Sequence, residues 1–308
     1  MNKIVAIVFA LICPLLLLCG CGNVEKQILF VAPDGAPSLS VAGLMQDDYQ
    51  IGGETQYKVV SSADVGAYFA TGQASAGVLP LNLATKMKDY QIVSINTFGN
   101  LYIVGKNGDG VSDLLGETLH VINLNNVPGL TLRLALQNCE INYTFNEIES
   151  GSENILLKGI NAADLAGLFV AGKANFAVVA EPMCSKLLNM NSELKIVADV
   201  QELFGEYPQS VLVVKKGVFS DADVKRMLEK LKVGVPIEVA QNAISAHLEK
   251  GVVSAFAGVT LTNEIIARCN IGCRLASENK QFINDYITKI IALQPNSATL
   301  LTDDRFYV

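Results

Sequence analysis

The sequence has no tryptophan and only two histidines, His120 and His247. Metal chemistry built on imidazole clusters is therefore not expected, because such sites draw several histidines together. Charge is sparse, at 17% of the residues, and 23 cationic against 30 anionic side chains give a formal net charge of −7. An acidic chain lacks the cationic surface that displaces counterions from phosphates, so nucleic acid is not expected as a partner. A chain that is 50% hydrophobic is not a disordered one, and its 308 residues suffice for one large domain or two ordinary lobes, each with its own core. The apolar run Ile4 to Leu18, preceded by Lys3, covers 15 residues. That is short for a membrane span and right for the h-region of an export signal.

The run ends in Leu18-Cys19-Gly20-Cys21. This resembles the bacterial lipobox, with a Leu three positions before a Cys and a small residue just before it. Cys19 fits less well, since bulky Leu18 would sit at the cleavage position. The expected organisation is then a signal peptide over 1–20, a lipidated tether over 21–26, and membrane attachment through lipid on Cys21. A doubly or triply acylated Cys is a firm anchor because its chains insert together. Cleavage leaves 288 residues on the outer side of the cytoplasmic membrane, in the periplasm or at the cell surface. Four further cysteines remain: Cys139, Cys184, Cys269 and Cys273. Cys269 and Cys273 have three residues between them, which fits neither a thioredoxin motif nor a zinc knuckle. A local disulfide and buried free thiols are both open readings.

The chain repeats itself. Asp64 to Met87 and Asp164 to Leu187, offset by 100 positions, share six of 24 residues: Asp64/Asp164, Phe69/Phe169, Gly72/Gly172, Ala74/Ala174, Val78/Val178 and Lys86/Lys186. Each copy reads as an N-capping Asp, a short apolar helix ended by Gly, a buried strand, a Pro-containing loop and a second helix. Upstream of each copy, Ile28 to Met45 and Leu119 to Gln137 both read as strand, Gly/Pro loop and amphipathic helix, with Pro37 and Pro128 near the helix start. The strand runs are almost wholly apolar, as expected of a mostly parallel sheet covered by helices on both faces. The fold class expected is α/β, a two-lobed clamshell joined by hinge strands. Leu101 to Val104 and Val211 to Val214 would carry the chain between lobes. Lobe 1 would be 27–104 and 211–308, with lobe 2 inserted at 105–210. After Ser220, three amphipathic helical segments would cover the first lobe's sheet.

Ligands of open α/β sheets sit beyond the C-terminal ends of the strands, where helices begin. Four strand-to-helix loops qualify, two from each lobe, and facing lobes would bring them to one cleft. The first carries Asp34 and Gly35, the second Leu79, Pro80 and Asn82. The third carries Asn125, Pro128, Gly129 and Thr131, and the fourth Glu181. Thr97 and Asn100, just before the first crossover strand, make a fifth candidate segment. Helix N-termini there would hold a polar or anionic group without Arg or Lys. Gly35 and Gly129 would allow close backbone approach, the amides and Thr131 would supply neutral hydrogen bonds, and Asp34 and Glu181 could hold an amino group. Phe98 or Tyr102 could stack on a planar ligand or pack in the core, and Tyr207 is a weaker candidate. With no Arg placed at the cleft, a zwitterion, an amino-pyrimidine or a monoanion suits it better than a bare dianion. Arg133 or Arg274 reaching the cleft would overturn that preference.

Taken together, VAPDGAPSLSVAGLM, VLPLNLATKM, NTFGNLYIVG, VINLNNVPGLTLRLAL, VVAEPMCSKL and the tail SATLLTDDRFYV span nearly all of the mature chain. In that order they resemble the solute-binding lipoproteins of ABC importers, in the group that takes up nitrate, sulfonates, taurine and thiamine-pyrimidine precursors. The resemblance implies a type II periplasmic-binding-protein fold that closes on a small-molecule ligand, with a membrane permease and its cytosolic ATPase as partners. By position it puts Asp34, Gly35, Asn82, Asn100, Pro128, Gly129, Thr131 and Glu181 in cleft-lining motifs. Two departures stand out. The tail lacks the family's Gly-Gly-Lys before its Asp pair, and the third loop is unusually rich in Asn, which loosens the transfer of ligand class. The reading is a monomeric capture protein with no catalytic residues, cofactor or metal. A lipid-anchored sensor on the same clamshell is an alternative. An enzyme on this fold, of the pyrimidine-precursor or menaquinone kind, is a weaker one, since neither histidine is placed at the cleft.

Overall fold

The apolar run after Lys26 forms β1 (Gln27–Pro33), the first strand of a computed structural model that describes residues 26–149 and 151–307. The expected signal peptide and Cys21 lie outside the described residues. A first sheet is built from β1, β2 (Glu54–Val60), β3 (Ala76–Pro80) and β4 (Tyr90–Thr97). Short helices connect them: α1 (Ala36–Leu39), α2 (Ala42–Met45), α3 (Val65–Ala70) and α4 (Leu81–Ala84). The chain then passes to a second sheet with β5 (Leu101–Gly105), β6 (Thr118–Ile122), β7 (Tyr143–Thr144), β8 (Ile155–Ile160), β9 (Phe176–Ala180) and β10 (Lys195–Asp199). Its helices are α5 (Val127–Asn138), α6 (Ala162–Val170), α7 (Met183–Met190) and α8 (Val200–Phe204). The return strand β11 (Ser210–Lys215) rejoins the first sheet. It is followed by α9 (Asp221–Leu231), α10 (Ile237–Ala246), α11 (Asn263–Cys269), β12 (Ile271–Leu275) and α12 (Lys280–Leu293).

The two sheets repeat one plan. Their strand orders are β12-β4-β11-β3-β1-β2 and β10-β5-β9-β6-β8-β7. With β6, β8, β9 and β10 taken as counterparts of β1, β2, β3 and β4, each sheet admits the strand arriving from the other unit into the same slot, between its third and fourth strands. Both sheets are therefore mixed: β1 pairs parallel with β2 and β3, whereas β11 runs antiparallel to β3 and β4. Likewise β6 pairs parallel with β8 and β9, and β5 runs antiparallel to β9 and β10. A mostly parallel sheet is thus realised only in the βαβ part of each unit. An apolar strand buried on both faces looks the same in either direction, so the sequence pattern does not distinguish them. Because β5 is already in the second sheet, the chain crosses between Thr97 and Leu101, ahead of the 104/105 boundary read from the sequence. It returns between Phe204 and Ser210.

The repeated helices end as expected: Gly72 and Gly172 follow α3 and α6 with φ of 71° and 66°. The capping Asp is not realised. Asp64 makes no side-chain cap bond, and Asp164 is the third residue of α6, whose N-cap is Asn161. Of the three helical segments expected after Ser220, two, α9 and α10, pack with α1 and α2 beside the first sheet. The third does something else. α12 packs against α5 of the second unit, with Tyr286 stacked on Tyr207 at 5.7 Å and bonded to Thr131 at 2.6 Å. One apolar core therefore runs from the first unit into the second. Each large side chain buried there stabilises the joined arrangement by roughly 1.5–3 kcal/mol. All four described cysteines are free, Cys184 and Cys269 being buried.

Candidate functional site

A cavity of about 140 Å³ lies where the C-terminal ends of β1, β3, β6 and β9 converge between the two units. All four strand-to-helix loops contribute to its wall. The first supplies Pro33, Asp34, Gly35 and Pro37, and the second Pro80. The third supplies Asn123, Asn126 and Pro128, and the fourth Ala180, Glu181 and Pro182. Asn100 and Gln209, from the two crossings, close the side, and Ser62 and Ala255 add further edges. The lining is mostly apolar, with Leu101, Ile122, Val178 and Met183 facing the proline-rich loops. Prolines suit these positions because each helix start leaves an N–H without an intrahelical partner, and Pro has none to strand.

Of the residues named from sequence, Asp34, Gly35, Pro80, Asn100, Pro128 and Glu181 line this cavity. Six others do not. Leu79 is fully buried in the core, because alternation along β3 turns it away from the cleft. Asn82 lies buried behind the wall, donating to Asn126 Oδ1 at 3.3 Å and to the Ser297 carbonyl at 3.4 Å. Thr97 pairs with Ser210 through their hydroxyls at 2.7 Å, fastening the two crossings together. Asn125 points to solvent at the loop's outer edge. Gly129 packs inward: a Cβ there would stand 2.0 Å from the Leu124 carbonyl oxygen, so the missing side chain lets α5 sit under its own loop. Thr131 is taken up by Val127 O and the Tyr286 hydroxyl.

The two carboxylates are already engaged. Glu181 has a fully buried side chain and accepts from Ser185 N at 3.1 Å, Ser185 Oγ at 2.9 Å and Arg268 Nε at 2.6 Å. Arg268 comes from α11 of the other unit, and it also pairs with Glu264. Asp34 accepts from Ala255 N at 2.5 Å and from Ser254 Oγ at 3.3 Å. Burial raises its carboxyl above the ordinary 3.8, and these hydrogen bonds offset only part of that. Glu181 is spent on these partners, whereas Asp34 is partly exposed and keeps acceptor capacity at the cavity. The two arginines whose arrival would have overturned the charge preference lie elsewhere: Arg133 bonds Gln294 and Tyr143, and Arg274 pairs with Glu206 over the Phe98 ring. Phe98, Tyr102 and Tyr207 are buried in packing rather than presented to the cavity.

Further cross-unit bonds hold the cleft shut. Asn123 Nδ2 donates to Ser62 Oγ at 3.1 Å, Lys186 Nζ to the Ser254 carbonyl at 3.3 Å, and Arg133 Nη1 to Gln294 at 2.7 Å. Asn123, Asn126, Gln209 and Arg268 were not singled out from the sequence. Only the Asn-rich third loop carried a signal for any of them; Gln209 and Arg268 follow ordinary-looking segments. Among the described residues, no His, Cys, Lys or Arg lines the cavity, and no cluster of three metal-ligating side chains occurs. Burial pushes the Cys269 thiol up to about 12 and Cys184 still higher, so neither is a thiolate at neutral pH. His120 is a buried strand residue outside this cavity, and His247 ends α10 beside Met45.

No protein-family model and no curated protein sequence matches the chain. Its three-dimensional structure does match solved ones. An ABC transporter structure from Parabacteroides distasonis aligns with a TM-score of 0.71 at 20% identity, over 92% of this chain and 99% of the other. The periplasmic aliphatic sulphonate-binding protein SsuA from Escherichia coli gives 0.61 at 12% identity, over 92% and 97%. The ligand-binding component of an ABC-type import system from Staphylococcus aureus, solved with zinc bound, gives 0.59 at 13%, over 92% and 97%. At such identities the likeness speaks for architecture, and the two mixed six-stranded sheets with their flanking helices are the two-lobed α/β fold of periplasmic substrate-binding proteins.

Proposed function

We propose that the chain is an extracytoplasmic solute-binding protein that encloses a small molecule between its lobes and delivers it to an ABC importer. The observation that carries this reading is the cavity itself. Four loops from two sheets of one plan meet around one hollow, and cross-unit hydrogen bonds bridge it. Such clamshells work by hinge closure around a ligand, the short crossings absorbing the rotation. Here those are 98–100 and 205–209, between the sheets. The lobes are then the units carrying β1 to β4 with the C-terminal part, and β5 to α8. The ligand would touch Asp34, Gly35, Pro80, Asn100, Pro128 and Glu181, with Asn123, Asn126 and Gln209 beside them. The solved neighbours described as parts of ABC import systems support a permease and its cytosolic ATPase as partners. The lipobox-like segment supports lipid attachment at Cys21. Binding without bond chemistry is the favoured activity, since the cavity wall presents no nucleophile beside a base.

The test is a native mass spectrum of the protein purified from its own cells. The expected result is a bound small molecule that unfolding in urea releases. Small-angle scattering of the stripped, refolded protein should then show a larger radius of gyration as the lobes part. A protein that carries no adduct, and whose radius is the same before and after stripping, would sink the reading.

A further inference from the structure

We infer that the interlobe cavity takes a compact guest about the size of a substituted six-membered ring and rejects anions; this rests on the solute-binding reading above. The volume sets the size of the part the cavity holds, since it opens onto an adjoining hollow. An apolar protein cavity of about 150 Å³ accommodates benzene, and this one measures about 140 Å³.

The charge follows from what is already in place. Helix N-termini attract anions, but at α7 the chain supplies its own. Glu181 accepts the Ser185 N–H in the first turn of that helix and is neutralised by Arg268. Beside α1, Asp34 takes the Ala255 N–H and the Ser254 hydroxyl. An incoming anion would therefore meet two carboxylates on the wall and no cation among its described residues. The mouth repeats the message. Asp64 and Asp164, equivalent positions of the internal repeat, are both exposed on the adjoining hollow. The one lysine there, Lys186, is turned to the Ser254 carbonyl. Burying a charge without a partner is far costlier than burying a neutral group that finds its hydrogen bonds.

Besides Asp34, the polar groups left at the cavity are neutral. Asn123 uses its Nδ2 on Ser62, and Asn126 uses its Oδ1 for Asn82. That leaves the Asn123 carbonyl oxygen and the Asn126 amide nitrogen for the guest. One acceptor and one donor from the same loop match an amide, a lactam or an alcohol on an otherwise apolar body.

The test uses three ring compounds of equal size and different charge: benzamide, benzoate and benzamidinium. Each is titrated calorimetrically into the chain from Gly22 to Val308. Benzamidinium should bind no more weakly than benzamide, and benzamide at least about tenfold more tightly than benzoate, a difference of about 1.4 kcal/mol. Ala162→Trp, at an exposed position on the cavity rim, should abolish its binding while the fold persists by circular dichroism. Benzoate binding as tightly as benzamide, and blocked by Ala162→Trp, would overturn the charge inference and leave solute binding standing. Benzamide binding that survives Ala162→Trp, or no binding by any of the three, also overturns it. The native mass spectrum then judges the solute-binding reading separately.

Discussion

Arg268 Nε lies 2.6 Å from Glu181 Oε1, joining α11 of one lobe to the start of α7 in the other. The Glu181 side chain has no exposure, so removing the guanidinium leaves a buried carboxylate without its cation. Losing one partner of a buried pair costs about 3–5 kcal/mol, and partial exposure of Arg268 puts the expected loss near ~3 kcal/mol. Urea unfolding of Arg268→Ala should show it. The double variant Glu181→Gln/Arg268→Met should recover most of the loss. A cycle in which the two changes simply add would mean that the pair does not couple the lobes.

Asp34 makes stability depend on pH in a definite direction. Its carboxyl is raised in the folded state by burial, so the native protein holds this proton more tightly than the unfolded chain does. The contribution is fully present below the unfolded value and is lost as pH rises through the window between about 3.8 and the higher folded value. Asp34→Asn cannot titrate. Measured from pH 4 to 7, the stability of the wild type relative to Asp34→Asn should fall as pH rises; a constant difference would contradict the assignment.

Arg305 serves the tail. It is buried and donates to the carbonyls of Tyr90, Thr85, Ala84 and Met87 at 2.9–3.1 Å, the last three at the C-terminal end of α4. Arg305→Met would leave these acceptors unmet, at a cost of about 3 kcal/mol. Scanning calorimetry should show a Tm lower by roughly 6–12 °C. Lys should rescue little, because one ammonium cannot reproduce a planar fork.

Gly129→Ala should destabilise by more than about 1 kcal/mol, since the new Cβ meets the Leu124 carbonyl and must push α5 away from the third loop. Native mass spectrometry should also show loss of the bound molecule, because Asn126 and Pro128 move with the helix start. Retained ligand at unchanged stability would mean that the loop yields freely.

Cys21→Ser should transfer the protein from the membrane fraction to the soluble one and remove the acyl mass from its N-terminus. A variant that stays membrane-bound would point to anchoring by the uncleaved apolar segment instead.

The sequence by itself determined the local grammar of this protein. Apolar runs bounded by Gly and Pro set β1, β3, β6 and β9. The 100-residue offset of the repeat revealed that two units share one plan, and helix-starting prolines marked the loops that meet at the cavity. These are short-range signals, carried by neighbours in the chain. Tertiary structure alone decided the rest. The antiparallel insertion of β5 and β11 leaves no trace in their composition, because a strand buried on both faces is apolar whichever way it runs. Asp34 and Glu181 read from the sequence as open carboxylates. They are engaged by Ala255 and Arg268, which lie 221 and 87 positions away. Asn82 and Thr131 look like loop residues ready for a ligand, yet the fold buries both and turns the Asn82 amide nitrogen to Asn126 and the Thr131 hydroxyl to Tyr286. A polar side chain's type says what it can bond; only the partners the fold brings beside it decide whether anything remains for a guest.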